Sequence, residues 1–126
     1  MVKMAVITGF LGQTKDRFHH YNEPKTLEQK FALLSTIRGY DGVEIVYPYE
    51  ASDAAATRAL LKKYRLKVAA VNVNVKAEPE FLNGGLTSTK KAVRDKAVRF
   101  IRESKDFAAA IGADKVTCCP LGDGFE

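Results

Sequence analysis

The chain has few cysteines and no long apolar run, and each shortage excludes something. Its two cysteines, Cys118 and Cys119, are neighbours in an expected strand. Neighbours on a strand point to opposite faces, so they do not readily bridge each other, and with no others they form no zinc site. Sparse cysteine agrees with a cytoplasmic protein. No apolar run approaches the roughly 18 residues of a membrane span, so no membrane partner is expected. The opening Met1-Val2-Lys3-Met4-Ala5-Val6-Ile7 has the lysine-then-apolar order of a secretory leader. That apolar stretch is short, meets a glycine and leads into a turn, so it reads as a strand.

What is present is an ordinary globular composition, 46% apolar and 28% charged over 126 residues, which fits one domain. The net charge of +5 raises the question of an anionic partner. Most of the excess sits in Lys90, Lys91, Arg94, Lys96, Arg99, Arg102 and Lys105, with Asp95, Glu103 and Asp106 interleaved. Such mixing reads first as the solvated face of an amphipathic helix and second as a phosphate-binding face.

Strand and helix signals alternate along the chain. Strands are expected near 4–8, 43–47, 68–75 and 115–120, and helices near 27–38, 53–64 and 89–111. Thr26 and Gln29 make a capping box ahead of Leu27, Phe31, Leu34 and Ile37, which recur at helical spacing. Gly39 is the expected left-handed cap of that helix, and Gly112 that of the third. Ser52 or Asp53 starts the second helix, which carries Leu60, Leu61 and Tyr64. The third has Val93, Ala97, Phe100, Ile101, Ala108 and Ile111 on its inner stripe.

Each helix passes into the next strand through a short turn, whereas the strands pass into helices through longer loops. Two of these loops, one reaching Lys25 and one over 76–87, exceed the about 2–6 residues usual for such connections, a length often tied to function. The first holds Arg17, Phe18, His19, His20, Tyr21 and Asn22. The strands are near-continuous apolar runs, as buried parallel strands require, and helical crossovers make the units right-handed. Two architectures follow: a flat, doubly wound sheet, or a segment of a barrel. A (β/α)8 barrel takes eight such units and about 250 residues, so this chain amounts to half of one.

Gly39-Tyr40-Asp41-Gly42-Val43-Glu44-Ile45 resembles the turn and strand of the sugar phosphate isomerase/epimerase family, whose members are xylose isomerase-like TIM barrels. The opening strand 4–8, the helix end Ala108-Ala109-Ala110-Ile111-Gly112-Ala113 and the strand after it look like the same family. The likeness runs in order over essentially the whole chain, and it selects the barrel. The expected fold is therefore α/β, a parallel (βα)3β half of a TIM barrel, incomplete without a second half or a partner. The resemblance implies a divalent metal (Mn, Mg, Co or Zn), held in the family by two glutamates, an aspartate and a histidine from the last four strands. No metal ligand is expected among these residues, and the catalytic residues stay unassigned.

Barrel sites lie at the carboxyl ends of the strands. That end collects Thr8, Phe10, Glu44, Tyr47, Tyr49, Glu50, Asn72, Asn74, Cys119, Gly122 and Asp123. Glu44 stands out, because a carboxylate in an apolar strand is costly unless paired; it is either a pocket residue or a strut between strands. Asn72 and Asn74 alternate with valines, share a side and have amides suited to sugar hydroxyls, or else to a structural polar layer. Phe10, Tyr47 and Tyr49 offer an apolar wall for a sugar face, with core packing as the equal alternative. His20 stands beside His19 as a rim histidine or a base. Cys119 reads as packing, and Gly122-Asp123-Gly124 as a turn. The expected substrate-binding set is Phe10, His20, Glu44, Tyr47, Asn72 and Asn74.

Three function classes follow. The first is the amino-terminal half of a metal-dependent sugar or sugar-phosphate isomerase or epimerase, with a keto-sugar dehydratase or lyase as a near relative. The second is a non-catalytic half-barrel that forms a homo-oligomer or pairs with a missing carboxyl-terminal half. The third is an apurinic endonuclease-like nuclease, a branch that places metal-binding histidines on the third and fourth strands. Asn72, Asn74, Cys118 and Cys119 stand there instead, so no nucleic-acid partner is expected.

Overall fold

Alternation along the central strands divides the sheet into two unequal faces, and this division organises the molecule. The computed structural model describes residues 2–15 and 19–120. Its elements, in order, are β1 (Ala5–Ile7), β2 (Thr14–Lys15), β3 (His20–Tyr21), α1 (Leu27–Leu34), β4 (Gly42–Tyr47), α2 (Ala54–Lys63), β5 (Val68–Val73), α3 (Lys91–Ile111) and β6 (Val116–Cys118). The main sheet is parallel throughout in the order β1-β4-β5-β6, so its strands are laid down side by side in chain order. This is the (βα)3β architecture that the apolar strands and helical crossovers imply.

Val43, Ile45 and Tyr47 of β4, with Val71 and Val73 of β5, are buried beneath the helices. They form one core with Phe31 and Leu34 of α1, Leu61 of α2, and Val93, Ala97, Phe100, Phe107, Ala108 and Ile111 of α3. Glu44, Val46 and Asn72 take the other face and are only half-buried. The helix layer is thus closed, while the opposite face, which would point into a barrel, is open among the described residues.

The helix starts follow local chemistry. Thr26 Oγ1 accepts from the Gln29 amide at 3.2 Å and Gln29 Oε1 accepts from the Thr26 amide at 2.8 Å. Asp53 caps α2 through Ala55 and Ala56 at 2.9 and 3.0 Å. Gly112 ends α3 at φ +84°, a left-handed conformation where a side chain would be strained. The end of α1 corrects the expectation of a helix to residue 38. It stops at Leu34, where the Ser35 and Thr36 hydroxyls donate to the carbonyls of Ala32 and Leu33 at 2.6 and 2.7 Å. These hydroxyls compete for the carbonyls of the last turn. Gly39, at φ +93°, belongs to a separate turn beyond, and Ile37 is exposed.

The long loop after β1 contains two pieces of regular structure that the sequence reading did not foresee. A 3-10 turn spans Thr8–Leu11, and β2 pairs with β3 in a two-residue antiparallel ladder. The loop over 76–87 is likewise folded. Asn74 Oδ1 accepts from the Lys76 and Ala77 amides, both at 3.0 Å, and Phe81 packs into the core at 1% exposure. Among the described residues no helix is long and apolar enough to cross a membrane.

Candidate functional site

The open face of the sheet holds a polar layer spanning three adjacent strands. Glu44 on β4 accepts through Oε1 from Thr117 Oγ1 on β6 at 2.6 Å and from Asn72 Nδ2 on β5 at 2.9 Å. Asn72 Nδ2 also lies 2.9 Å from Thr117 Oγ1 and 3.9 Å from the exposed Cys119 sulfur. Two neutral donors converging on one carboxylate oxygen make the half-buried charge tolerable and tie the strands together. Glu44 is therefore a strut, with its other oxygen left over. Among the described residues no further hydrogen bond reaches Glu44 Oε2 or Asn72 Oδ1. Both are acceptors on a face where a ligand's hydroxyl protons can reach them.

A second carboxylate sits at the carboxyl ends of β1 and β4. Glu50 accepts from the Val46 amide at 3.2 Å, forms an ion pair with Lys30 of α1, and contacts the Thr8 hydroxyl. That hydroxyl also lies 3.1 Å from the Glu44 carbonyl, so its one proton serves either oxygen. The Lys30 and Glu50 side chains are 7% and 10% exposed, so this is a buried pair. Glu50 was placed at this end of the sheet by the sequence; Lys30 was overlooked. Its signal was positional, since Lys30 occupies the same helical stripe as Leu27, Phe31 and Leu34.

Outside the sheet, Glu78 and Glu80 from the loop after β5 flank Lys96 of α3, and the Tyr49 hydroxyl donates to Glu78 at 3.0 Å. Lys96 Nζ lies 5.8 Å from the Phe81 ring centre and 5.9 Å from that of Phe100. The hydrogen bond from Lys96 holds Glu78 below the ordinary carboxyl value of 4.5, against the opposite pull of burial, and the Tyr49 hydrogen bond adds to the lowering. Burial, followed by the Glu78 contact, pushes the Tyr49 phenol up. A carboxyl with a lowered folded pKa contributes stability above its unfolded value and loses that contribution as pH falls through the folded one. Between about pH 5 and 3 the wild type should therefore lose more Tm than Glu78→Gln. Parallel pH profiles for the two proteins would show that this carboxylate does not supply the effect.

The structure separates the residues expected to bind substrate. Glu44 and Asn72 are brought together on the open face. Tyr47 is turned away from it, which corrects its placement in the ligand wall. Strand alternation puts its ring in the helix-side core, 5.3 Å from Phe107, with its hydroxyl 3.3 Å from Glu103. Asn74 follows the end of β5, and its oxygen is committed to the turn at Lys76 and Ala77. Phe10 is 72% exposed on the 3-10 turn, and His20 is exposed on β3. Arg17, Phe18, Gly122, Asp123 and Gly124 lie outside the described residues. Thr117 completes the polar layer, and its only signal in the sequence is its place in a strand.

Residues 31–125 match the family model described as the xylose isomerase-like TIM barrel. The chain belongs to this family. Among solved structures, 47 chains are similar to it. One is the apo form of the 3-keto-D-glucoside 4-epimerase YcjR from E. coli, with a TM-score of 0.58 and 19% identity. The similarity covers 90% of this chain and 37% of the epimerase chain. At that identity the likeness carries the fold and not the activity. No curated protein matches the chain.

Membership of the xylose isomerase-like family raises the question of a divalent cation, and the residues at hand do not fit one. Such an ion needs several oxygen or imidazole ligands converging on one point. Glu44 Oε1 already accepts two hydrogen bonds, and Glu50 is paired with Lys30. Among the described residues no three His, Cys, Asp or Glu side chains converge. Two open depressions lie at the far end of the sheet, one beside Arg38, Tyr40, Arg65 and Lys67 and the other beside Arg58 and Ile111. In TIM barrels that end serves stability and the carboxyl end serves chemistry.

Proposed function

We propose that this chain is the substrate-binding segment of a sugar isomerase or epimerase acting on a sugar or sugar phosphate. The observation that carries the reading is the polar layer of Glu44, Asn72 and Thr117, set on the open face of a xylose isomerase-like sheet. Glu44 Oε2 and Asn72 Oδ1 accept hydrogen bonds from the substrate's hydroxyl groups. Their hydrogen bonds to each other and to Thr117 on β6 hold both side chains before binding, so little rotamer entropy remains to be lost. The reaction class is proton abstraction next to a carbonyl, with this chain fixing the orientation of the sugar. A divalent cation would polarise the substrate oxygens; its ligands and the proton-transfer groups are assigned to strands beyond those described. Those strands would come from the remainder of a barrel or from a second chain, and would cover the open face.

Saturation-transfer NMR with D-fructose and D-glucose as probes tests the binding step. The wild-type chain should show contacts to sugar protons, and Asn72→Ala should weaken binding by about tenfold, the loss expected from one hydrogen bond of about 1.4 kcal/mol. Equal signals from wild type and variant would remove Asn72 from the site. No signal from either sugar would remove the sugar-binding reading.

A further inference from the structure

The Lys30–Glu50 pair has no place in the polar layer, yet it joins β4 beside Glu44: the Thr8 hydroxyl that Glu50 holds lies 3.1 Å from the Glu44 carbonyl. Taking a lysine and a glutamate out of water is expensive, and a pair so buried is weak evidence of stability for its own sake. What it touches is informative. Glu50 holds the Thr8 hydroxyl and the Val46 amide, and so joins the end of β1 to the end of β4. The turn that starts at Thr8 then runs across both partners. At Gly9 a Cβ would meet the Val46 side chain at 3.2 Å, and at buried Gly12 it would meet Lys30 Cε at 2.9 Å. The turn is therefore seated at one end on Val46, an open-face residue, and at the other on the lysine stem. Between them stands Phe10, 72% exposed.

We infer that Lys30 and Glu50 are positioning residues: their buried ion pair seats the Thr8–Gly12 turn as a fixed wall on the β1 side of the Glu44–Asn72 site. Three donors from different elements, Lys30 on α1, Thr8 after β1 and Val46 on β4, converge on the Glu50 carboxylate. Its geometry is over-determined, and the turn inherits that rigidity. Without the ion pair the turn keeps the Thr8 hydroxyl contacts, the approach of Gly9 to Val46 and the packing of Leu11, but loses the charged anchor at its Gly12 end. The consequence for ligand binding rests on the proposed sugar-binding role, whereas the seating of the turn does not.

The test compares the wild-type chain with Lys30→Met, Glu50→Gln and Lys30→Arg, and with Leu61→Ala as a variant destabilised elsewhere in the core. Hydrogen–deuterium exchange reads the amides of residues 9–15, and D-fructose affinity is measured by the same NMR method. Lys30→Met and Glu50→Gln should speed exchange in this segment by about tenfold more than in α3. They should weaken D-fructose binding by a similar factor, with Lys30→Arg restoring part of both. Leu61→Ala should raise exchange without singling out the turn. The double variant, Lys30→Met with Glu50→Gln, strands no charge and keeps an acceptor for Val46 and Thr8. It should still loosen the turn, so it carries the test should either single variant fail to fold. Turn exchange that rises only as it does in Leu61→Ala overturns the inference, as does a loosened turn with unchanged D-fructose affinity. If the wild type binds no D-fructose, the proposed function fails, and exchange alone decides whether the pair seats the turn.

Discussion

Replacing Phe81 with alanine should cost about 3–5 kcal/mol, the range for removing a buried phenylalanine. Phe81 is 1% exposed, meets the Phe100 ring edge-on at 6.0 Å and lies beneath the Lys96 ammonium. Gly85 approaches it from the loop's return, where an added Cβ would sit 3.5 Å from the ring and 2.8 Å from the Val75 carbonyl. The loop between β5 and α3 is thus wrapped around this side chain. A cavity there would not be filled readily, because the Val75 backbone and α3 are both fixed in place. Since domains of this size are stable by about 5–15 kcal/mol, the loss would be a large fraction of the total. Urea denaturation of wild type and Phe81→Ala measures it from the shift in midpoint. A change below about 1 kcal/mol would mean that the loop collapses onto the gap and that Phe81 is not its anchor.

The second large effect concerns the buried pair. Lys30→Met should destabilise by about 3–5 kcal/mol, because it leaves the Glu50 carboxylate charged and buried without its counter-ion. Adding Glu50→Gln should restore more than half of that loss. The double variant removes the orphaned charge, and methionine fills the path of the lysine stem beneath Gly12. The glutamine oxygen still accepts from the Val46 amide, so no backbone group is stranded. A double variant as unstable as Lys30→Met would mean that the lysine matters for its packing, not its charge. The wild type, Lys30→Met, Glu50→Gln and the double variant should be compared by the same urea titration, with the four-protein cycle giving the coupling energy directly.

Much of the fold was legible because it is written in local chemistry. The capping box at Thr26 and Gln29, the Asp53 cap and the left-handed Gly112 all act within a few residues of themselves. The strands expected at 43–47 and 68–75 announced themselves as β-branched apolar runs that tolerate burial on both faces, although the second ends at Val73. Glu44 and Asn72 were each legible as polar residues in apolar strands, but alternation joined Asn72 with Asn74 and not with Glu44. The misreadings share a physical cause. Ile37 continues the spacing of α1, yet Ser35 and Thr36 draw the last carbonyls to their hydroxyls and end the helix first. Tyr47 belongs to the same end of the sheet as Glu44, but it is an odd number of residues away and so faces the helices. Asn74 would share the face of Asn72 if β5 ran on, but the strand stops at Val73 and its amide oxygen is taken by the turn.

By itself the sequence determined the order of the main-sheet strands and their helices, the parallel sheet and the helix caps, since these depend on periodicity, propensity and neighbours close in the chain. The barrel family came from the resemblance of its turn and strand motifs. Only the tertiary structure decided which polar groups meet. Glu44 and Thr117 are 73 residues apart and Lys30 and Glu50 are 20 apart, and neither distance along the chain predicts contact. Burial selects such pairs: a charge removed from water must find a partner wherever the packed elements bring one, and only the packing of α1, β4, β5 and β6 says where that is.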